Sequence, residues 1–454
     1  MKKHKLRLLF LNPPASQPVF RDCYCSGTNK GPFNIQPLDL QLQSGYFSEE
    51  TFSSGFIDAV LEKLNSFKTF ERVKAFKPDV ILSLVGDAFL EEDTAFFNRL
   101  KSRFPKARLF LSGDIARFNP TVLFQSIPGL DGLLMDFASP GLLMHLKGEP
   151  TSEVLLEADN EYRTGYTDRF EHPLPGKRFI LKYKYRLPFF EKPNYYSLAT
   201  SFGCPFGCDY CNTHKLGYRT RPVDDVVEEL HYARTLGFKS LYIRDATFLY
   251  DRERTFQLLK AWEKTGLDFQ WICFTRPDLI DEELARRASR MGCCLMMMGV
   301  ESFDEECMQN VSRSVRIKDV ESTFHILRKA GIRTAAQIIV GLSTTDCKDR
   351  VAADEYEKRL KRFLNTIDPD YISLNIFYPR PGIKVENPIL NRLALNTNMH
   401  QTVANRINRY FYAYRPRSLA RQALFIQSPQ QLAYMTRSAV NLLWRLRKPG
   451  VLQH

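Results

Sequence analysis

Between residues 195 and 378 the chain sets out six short apolar runs, with a stretch of helical spacing between each and the next. The runs at 195–201, 240–244, 270–276, 294–302, 335–342 and 371–378 are candidate strands. Helical patterns at 223–235, 252–264, 281–291, 317–330 and 352–363 lie between them. Asp281-Glu282-Glu283-Leu284 reads as a helix start, with acidic residues at the positive end of the helix dipole. Parallel strands joined by crossover helices satisfy this pattern. Six strands and five helices give a partial (β/α)6 TIM barrel, since closure normally takes about eight units.

A first series precedes it. Apolar runs at 6–11, 55–60, 79–86, 108–113 and 132–135 alternate with helical patterns at 67–76 and 94–104. This spacing predicts a doubly wound, Rossmann-like α/β domain whose ligands lie beyond the carboxyl ends of the strands. Segment 12–45, with its prolines and glycines, is such a carboxyl-end loop. The domain reading is 1–145 for the Rossmann-like part, 146–192 for a Glu-, Tyr- and Pro-containing linker, 193–385 for the partial barrel and 386–454 for a helical extension. The basic and then apolar N-terminus breaks at Asn12-Pro13-Pro14, which favours a buried strand over a signal peptide. No apolar run reaches the roughly 18 residues of a membrane span, so a cytoplasmic protein is expected.

With 44% hydrophobic and 25% charged residues in 454, disorder of the whole chain is excluded. The net charge of +13 is unevenly spread. From Asn387 to His454 there is no Asp or Glu but ten Lys or Arg, leaving 54 basic and 51 acidic residues in the rest. A nearly neutral body thus carries a basic extension, and uniform nucleic-acid attraction does not follow.

Of ten cysteines, Cys204, Cys208 and Cys211 form a tight C-x3-C-x2-C group directly after a predicted strand, on the rim where barrel enzymes work. Three thiolates do not complete a zinc site unless His214 joins them. They do suit a [4Fe–4S] cluster with one iron left open to substrate. Cys273, Cys293 and Cys294, in apolar surroundings, read as buried small hydrophobes, and Met296-Met297-Met298 as core packing.

The triplet Cys204-x3-Cys208-Asp-Tyr-Cys211 resembles the hallmark of the radical S-adenosylmethionine (SAM) superfamily, and the resemblance runs from about Tyr195 to Gly382. Arg244-Asp245-Ala-Thr-Phe248, Thr275-Arg276-Pro-Asp278, Gly299-Val-Glu301-Ser302, Val340-Gly341 and Tyr378-Pro-Arg-Pro-Gly382 follow in order, each at a strand end. The resemblance implies that Cys204, Cys208 and Cys211 ligate the cluster as the catalytic and metal-binding residues. It also implies that SAM chelates the open iron and is cleaved to a 5′-deoxyadenosyl radical. Tyr210 would lie beside the adenine. Glu301 and Ser302 would serve the ribose or amino group, and Arg276 the carboxylate, unless Arg276 is a rim ion pair. Asp245 and Gly341 fall in segments that bind the cofactor. Arg219 and Arg221 are further rim charges.

The N-terminal domain resembles that of the cobalamin-binding subfamily, with Asn12-Pro13-Pro14 and Ser112-Gly113-Asp114 at its carboxyl-end turns. The Asp-x-His-x-x-Gly motif that presents an axial histidine to cobalt is absent, and Cys23 and Cys25 fall in the first carboxyl-end loop. The resemblance implies cobalamin as a further cofactor and methylation of an unactivated carbon of a small-molecule or lipid substrate. The electron donor would be of flavodoxin or ferredoxin type. Cyclisation, rearrangement or C–C coupling without methyl transfer is the alternative, and a non-catalytic metal-binding module the second. For the basic extension, with its aromatic–arginine run at 410–417 and apolar and basic residues mixed over 432–448, three readings stand. They are a helical cap on the barrel, a peripheral membrane or lipid contact, and, least favoured, nucleic acid.

Overall fold

The fold was obtained as a computed structural model. It describes residues 5–29, 33–157, 168–343, 349–380, 382–383 and 386–424, with 426, 428–429, 431–433 and 435–436 beyond them. The chain forms two compact units, Met1–Arg186 and Leu187–His454.

The first unit begins with β1 (Leu6–Asn12), a hairpin of β2 (Val19–Arg21) and β3 (Ser26–Thr28), and α1 (Leu38–Ser44). It continues with β4 (Phe52–Asp58), α2 (Ser66–Phe76), β5 (Val80–Leu84), α3 (Leu90–Arg103), β6 (Arg108–Ser112), α4 (Asp114–Phe118) and α5 (Pro120–Ser126). It ends with β7 (Gly132–Leu134), α6 (Gly141–Lys147), β8 (Val154–Leu155) and α7 (Lys177–Lys182). The sheet order is β4-β1-β5-β6-β7-β8, parallel except for β8, which runs antiparallel to β7. Its core explains the unalternated runs: Leu9, Leu11, Ile81, Leu109 and Leu111 pack under Phe70, Val73, Phe96 and Phe97 of the helices.

Strand order reverses between β1 and β5, and in such sheets that switch point is the ligand crevice. Segment 12–45 is more than a loop there. Its hairpin inserts the fully buried Arg21, which bonds Asp93 at 2.6 and 2.9 Å and also reaches the Asn12 side chain and the Pro13 carbonyl. The segment expected to be a linker is also structured. β8 extends the sheet, and Phe179 of α7 stacks on Phe56 with centroids 3.9 Å apart. The apolar group Phe179-Ile180 drives this, since both side chains are buried.

The second unit opens with β9 (Tyr196–Leu198), β10 (Ser201–Gly203), β11 (Tyr218–Thr220), α8 (Val223–Thr235), β12 (Ser240–Ile243), α9 (Arg252–Lys264), β13 (Gln270–Thr275) and α10 (Glu282–Arg290). There follow β14 (Cys293–Glu301), α11 (Glu305–Gln309), α12 (Ile317–Lys329), β15 (Arg333–Ile339), α13 (Arg350–Ile367) and β16 (Tyr371–Asn375). Its main sheet has the sequential order β16-β15-β14-β13-β12-β9 and is parallel throughout, as a (β/α)6 arrangement requires. The expected helix start at Asp281 is an N-cap whose carboxylate accepts from the Leu284 amide.

The extension supplies α14 (Pro388–Leu395), α15 (Thr397–Arg409), a π-helical turn at Tyr410–Tyr414 and α16 (Pro416–Leu424). Its cations turn inward. Arg406 pairs with Asp354 at 2.7 Å, and Arg415 and Arg421 both pair with Asp368 at the end of α13. The described part of the extension therefore follows the helical-cap reading. Residues 437–454, with Trp444 and the basic group at 445–448, lie outside the described residues. Among the described residues, no helix is long and apolar enough to cross a membrane.

Candidate active site

The three clustered cysteines sit on a loop closed at its base by the two-stranded β10–β11 ladder. Gly203 makes the closure possible. Its φ is +79°, and a Cβ there would come 1.7 Å from the Gly217 carbonyl oxygen, which instead accepts from the Cys204 amide at 3.1 Å. Within the loop, the Cys211 amide bonds the Cys208 carbonyl, and the Asp209 amide bonds Val311.

Each thiol meets a polar neighbour from a different part of the chain. Cys204 Sγ lies 3.7 Å from Thr247 Oγ1, Cys211 Sγ 3.3 Å from Thr213 Oγ1, and Cys208 Sγ 3.8 Å from Arg313 Nη1. Burial, reinforced by the neighbouring Cys204 and Cys208 thiols, pushes Cys211 up to about 11. Cys211 is thus buried near the other two thiols of the loop. Among the described residues no three His, Cys, Asp or Glu side chains converge on a single-ion position. Three thiols on one loop are the kind of donor set that a cluster ligated at three corners uses.

Around this loop stand the strand ends. Arg276, after β13, is buried and forms a fork with Asp278 at 2.7 and 2.9 Å, so the ion-pair reading describes it. It also lies 3.6 Å over the centroid of Phe206, between Cys204 and Cys208. Glu301 ends β14 at a register shift and holds φ at +65°, costly for a residue with a Cβ. Burial raises its carboxyl, opposed by Arg313 and Arg276. Gly299 leaves the space, since a Cβ there would come 2.5 Å from Glu301 Oε1. Burial likewise raises the Tyr210 hydroxyl, which feels Glu301, Arg313 and Cys208. The structure therefore brings Tyr210, Arg276 and Glu301 together beside the cysteine loop.

Three expected cofactor residues are committed elsewhere. Asp245 is fully buried, and its oxygens accept from Thr200 N and Oγ1 and from Ser201 Oγ at 2.6–2.7 Å, so it fixes the end of β9. The 244–248 segment reaches the site through Thr247 instead. Ser302 Oγ donates to the Leu342 carbonyl and accepts from the Asp304 amide. Gly341, at φ +86°, faces the His400 ring, whose Nε2 would be 2.2 Å from a Cβ. That side of Gly341 is filled by protein. Arg221 is a buried partner of Glu229, and Arg219 lies over Phe202.

Arg313 is the residue sequence reasoning missed. It donates to the Gly299 carbonyl and to Cys208, and although burial opposes its charge, Tyr210, Glu301 and Cys208 hold it protonated. In sequence it resembles Arg316, which is exposed and paired with Asp319. Only burial separates the two.

In the first unit, His145 and His172 are the described histidines. Neither belongs to the loops that follow β1, β4, β5 or β6, and His145 contacts Arg108 at the first residue of β6.

Comparison with known proteins agrees with this geometry. Residues 198–354 match the Radical SAM superfamily. The chain is 23% identical over 425 residues to an uncharacterized methyltransferase of Pyrococcus horikoshii, covering 87% of this chain and 85% of that protein. It is 24% identical over 320 residues to the hopanoid C-3 methylase of Methylococcus capsulatus, covering 67% and 61% of the two. In fold it is similar to OxsB, a cobalamin-dependent SAM radical enzyme solved with aqua-cobalamin and SAM bound. The TM-score is 0.61 at 14% identity, over 97% of this chain and 72% of that one. Residues 198–354 of this chain thus match a radical SAM domain, and the chain is similar to a methyltransferase in sequence and to a SAM radical enzyme in fold.

Proposed function

We propose that the enzyme is a cobalamin-dependent radical SAM methyltransferase acting on an unactivated carbon of a small-molecule or lipid-like substrate. The observation that carries this reading is the succession along one chain of a doubly wound unit and a radical SAM unit, similar in fold to OxsB over 97% of the chain. The methylase names of the relatives support it. Cys204, Cys208 and Cys211 would hold a [4Fe–4S] cluster and the first unit a corrin. When bound, the cluster supplies the electron that cleaves SAM, and the corrin supplies a methyl group.

The remaining work belongs to side chains of the chain. Glu301 and Arg313, one acceptor and one multiple donor side by side, match the ammonium and carboxylate of an amino-acid end. Arg276 clamps Phe206 and so holds the cysteine loop against β13. In the first unit no histidine comes from the loops after β1, β4, β5 or β6, so a corrin would be held without an axial histidine from them. The substrate is a small molecule, and the electron comes from a separate reductant.

The test is anaerobic reconstitution with iron, sulfide and hydroxocobalamin. The expected result is about four irons per chain, a protein-bound corrin spectrum and reductive cleavage of SAM. Iron and cleavage without a corrin would move the reading to radical chemistry without methyl transfer.

A further inference from the structure

We propose that Asn387 is a positioning residue for the cysteine loop, which makes the acid-free extension it opens part of the catalytic unit. Its Nδ2 donates to Asp209 Oδ2 at 3.3 Å and to the Asn310 carbonyl at 2.9 Å. Its Oδ1 accepts from the Ile389 amide and so caps α14. Asp209 stands between Cys208 and Tyr210, and its own amide bonds Val311. One side chain therefore ties together the cysteine loop, the turn that leads to Arg313, and the first helix of the extension.

The packing behind it agrees. Leu390 and Leu393 of α14 sit in one cluster with Cys307, Val311, Ile339, Leu342 and Phe377, and Tyr210 packs against that cluster. Arg392 of α14 donates to the Ser343 carbonyl, just beyond β15. Asn387 also walls a cavity of about 270 Å³ with Asp209, Cys211 and His214. The loop is short and carries glycines at 203, 207 and 217, so its own backbone does little to hold three sulfurs in place. Support from outside the loop supplies that rigidity.

The inference rests on the radical SAM reading for its consequence, but its geometry is testable without any cofactor. Asn387→Asp keeps the helix cap, because aspartate caps as well as asparagine. It removes both donors and sets a carboxylate against Asp209. In the metal-free chain, hydrogen exchange of amides 206–212 should quicken on the order of fivefold, the worth of one such hydrogen bond. In the reconstituted protein, iron should pass to a chelator faster by a similar factor. Combining Asn387→Asp with Asp209→Asn reverses donor and acceptor between these two side chains and should bring exchange of the loop amides back toward the wild-type rate, while the bond to the Asn310 carbonyl stays lost. Wild-type exchange in Asn387→Asp, with fast exchange only in Asn387→Ala, would reduce Asn387 to a helix cap and overturn the proposal. A wild-type chain that takes up no iron would instead overturn the proposed function, while the exchange data would still decide the role of Asn387.

Discussion

The Arg276 guanidinium lies 3.6 Å above the centroid of Phe206, a residue of the loop that carries Cys204 and Cys208. The same guanidinium is forked onto Asp278, so the loop is pinned to the end of β13 by a stacked cation that cannot swing away. Lysine has neither the planar face nor the fork. Arg276→Lys should destabilise the second unit by about 1–3 kcal/mol. Denaturant unfolding followed by tryptophan fluorescence measures this, because Trp262 and Trp271 are buried in the same unit.

Cys208 and Cys273 are both buried thiols, but only the first lies in the loop group. Cys208→Ala should abolish iron retention after reconstitution. Cys273→Ala should leave iron content unchanged and cost no more than about 1–2 kcal/mol of stability. Iron analysis with thermal melts of the two variants separates the roles.

Glu301 is held at positive φ beside Arg313, an arrangement that costs backbone energy. If the pair receives the amino-acid end of SAM, Arg313→Ala and Glu301→Gln should each weaken SAM binding by ~10–100-fold. Equilibrium dialysis against reconstituted protein reads this directly, and Arg316→Ala should leave binding unchanged.

Gly341→Ala places a methyl group against the His400 ring and a Cβ at φ +86°. The expected cost is about 1–3 kcal/mol for the clash, plus backbone strain. His400→Ala should relieve the first part and not the second, so the double variant should be more stable than the sum of the single losses implies. Urea unfolding of all four proteins closes the cycle.

Asp114 follows β6 and bonds Ser26, Asp87 N and Ile115 N, joining the β2–β3 hairpin to the sheet. Burial pushes its carboxyl from 3.8 up to about 7. The folded chain then holds a proton that the unfolded chain releases at lower pH. Stability from this group is full below pH ~4 and is withdrawn as pH rises toward 7. Asp114→Asn should therefore gain on the wild type by up to a few kcal/mol across that window, while Asp58 and Asp93 act alike in both. Melting curves from pH 4 to 7.5 give the comparison.

The repeating apolar runs were enough to determine the parallel sheets. A strand such as 108–113 with no polar alternation cannot face water on either side, so helices must cover it, whereas the order β4-β1-β5, in which the chain passes over β1, is visible only in the structure. The cysteine spacing likewise offered a candidate site without a structure, because three thiols within eight residues can reach one group. Burial and long-range pairing were not legible. Asp245 and Glu301 are both acids after a strand, yet one is consumed by Thr200 and Ser201 and the other stands at the cysteine loop. Arg313 and Arg316 look alike in sequence and differ only in what covers them. For the basic extension a helical cap, a lipid contact and nucleic acid all stood open in the sequence, and in the structure Arg406, Arg415 and Arg421 close onto Asp354 and Asp368, and Asn387 reaches the cysteine loop. Hydrophobic periodicity is a local property that the sequence carries in full. The partner of a charge is set by residues tens to hundreds of positions away, and only the tertiary structure chooses it.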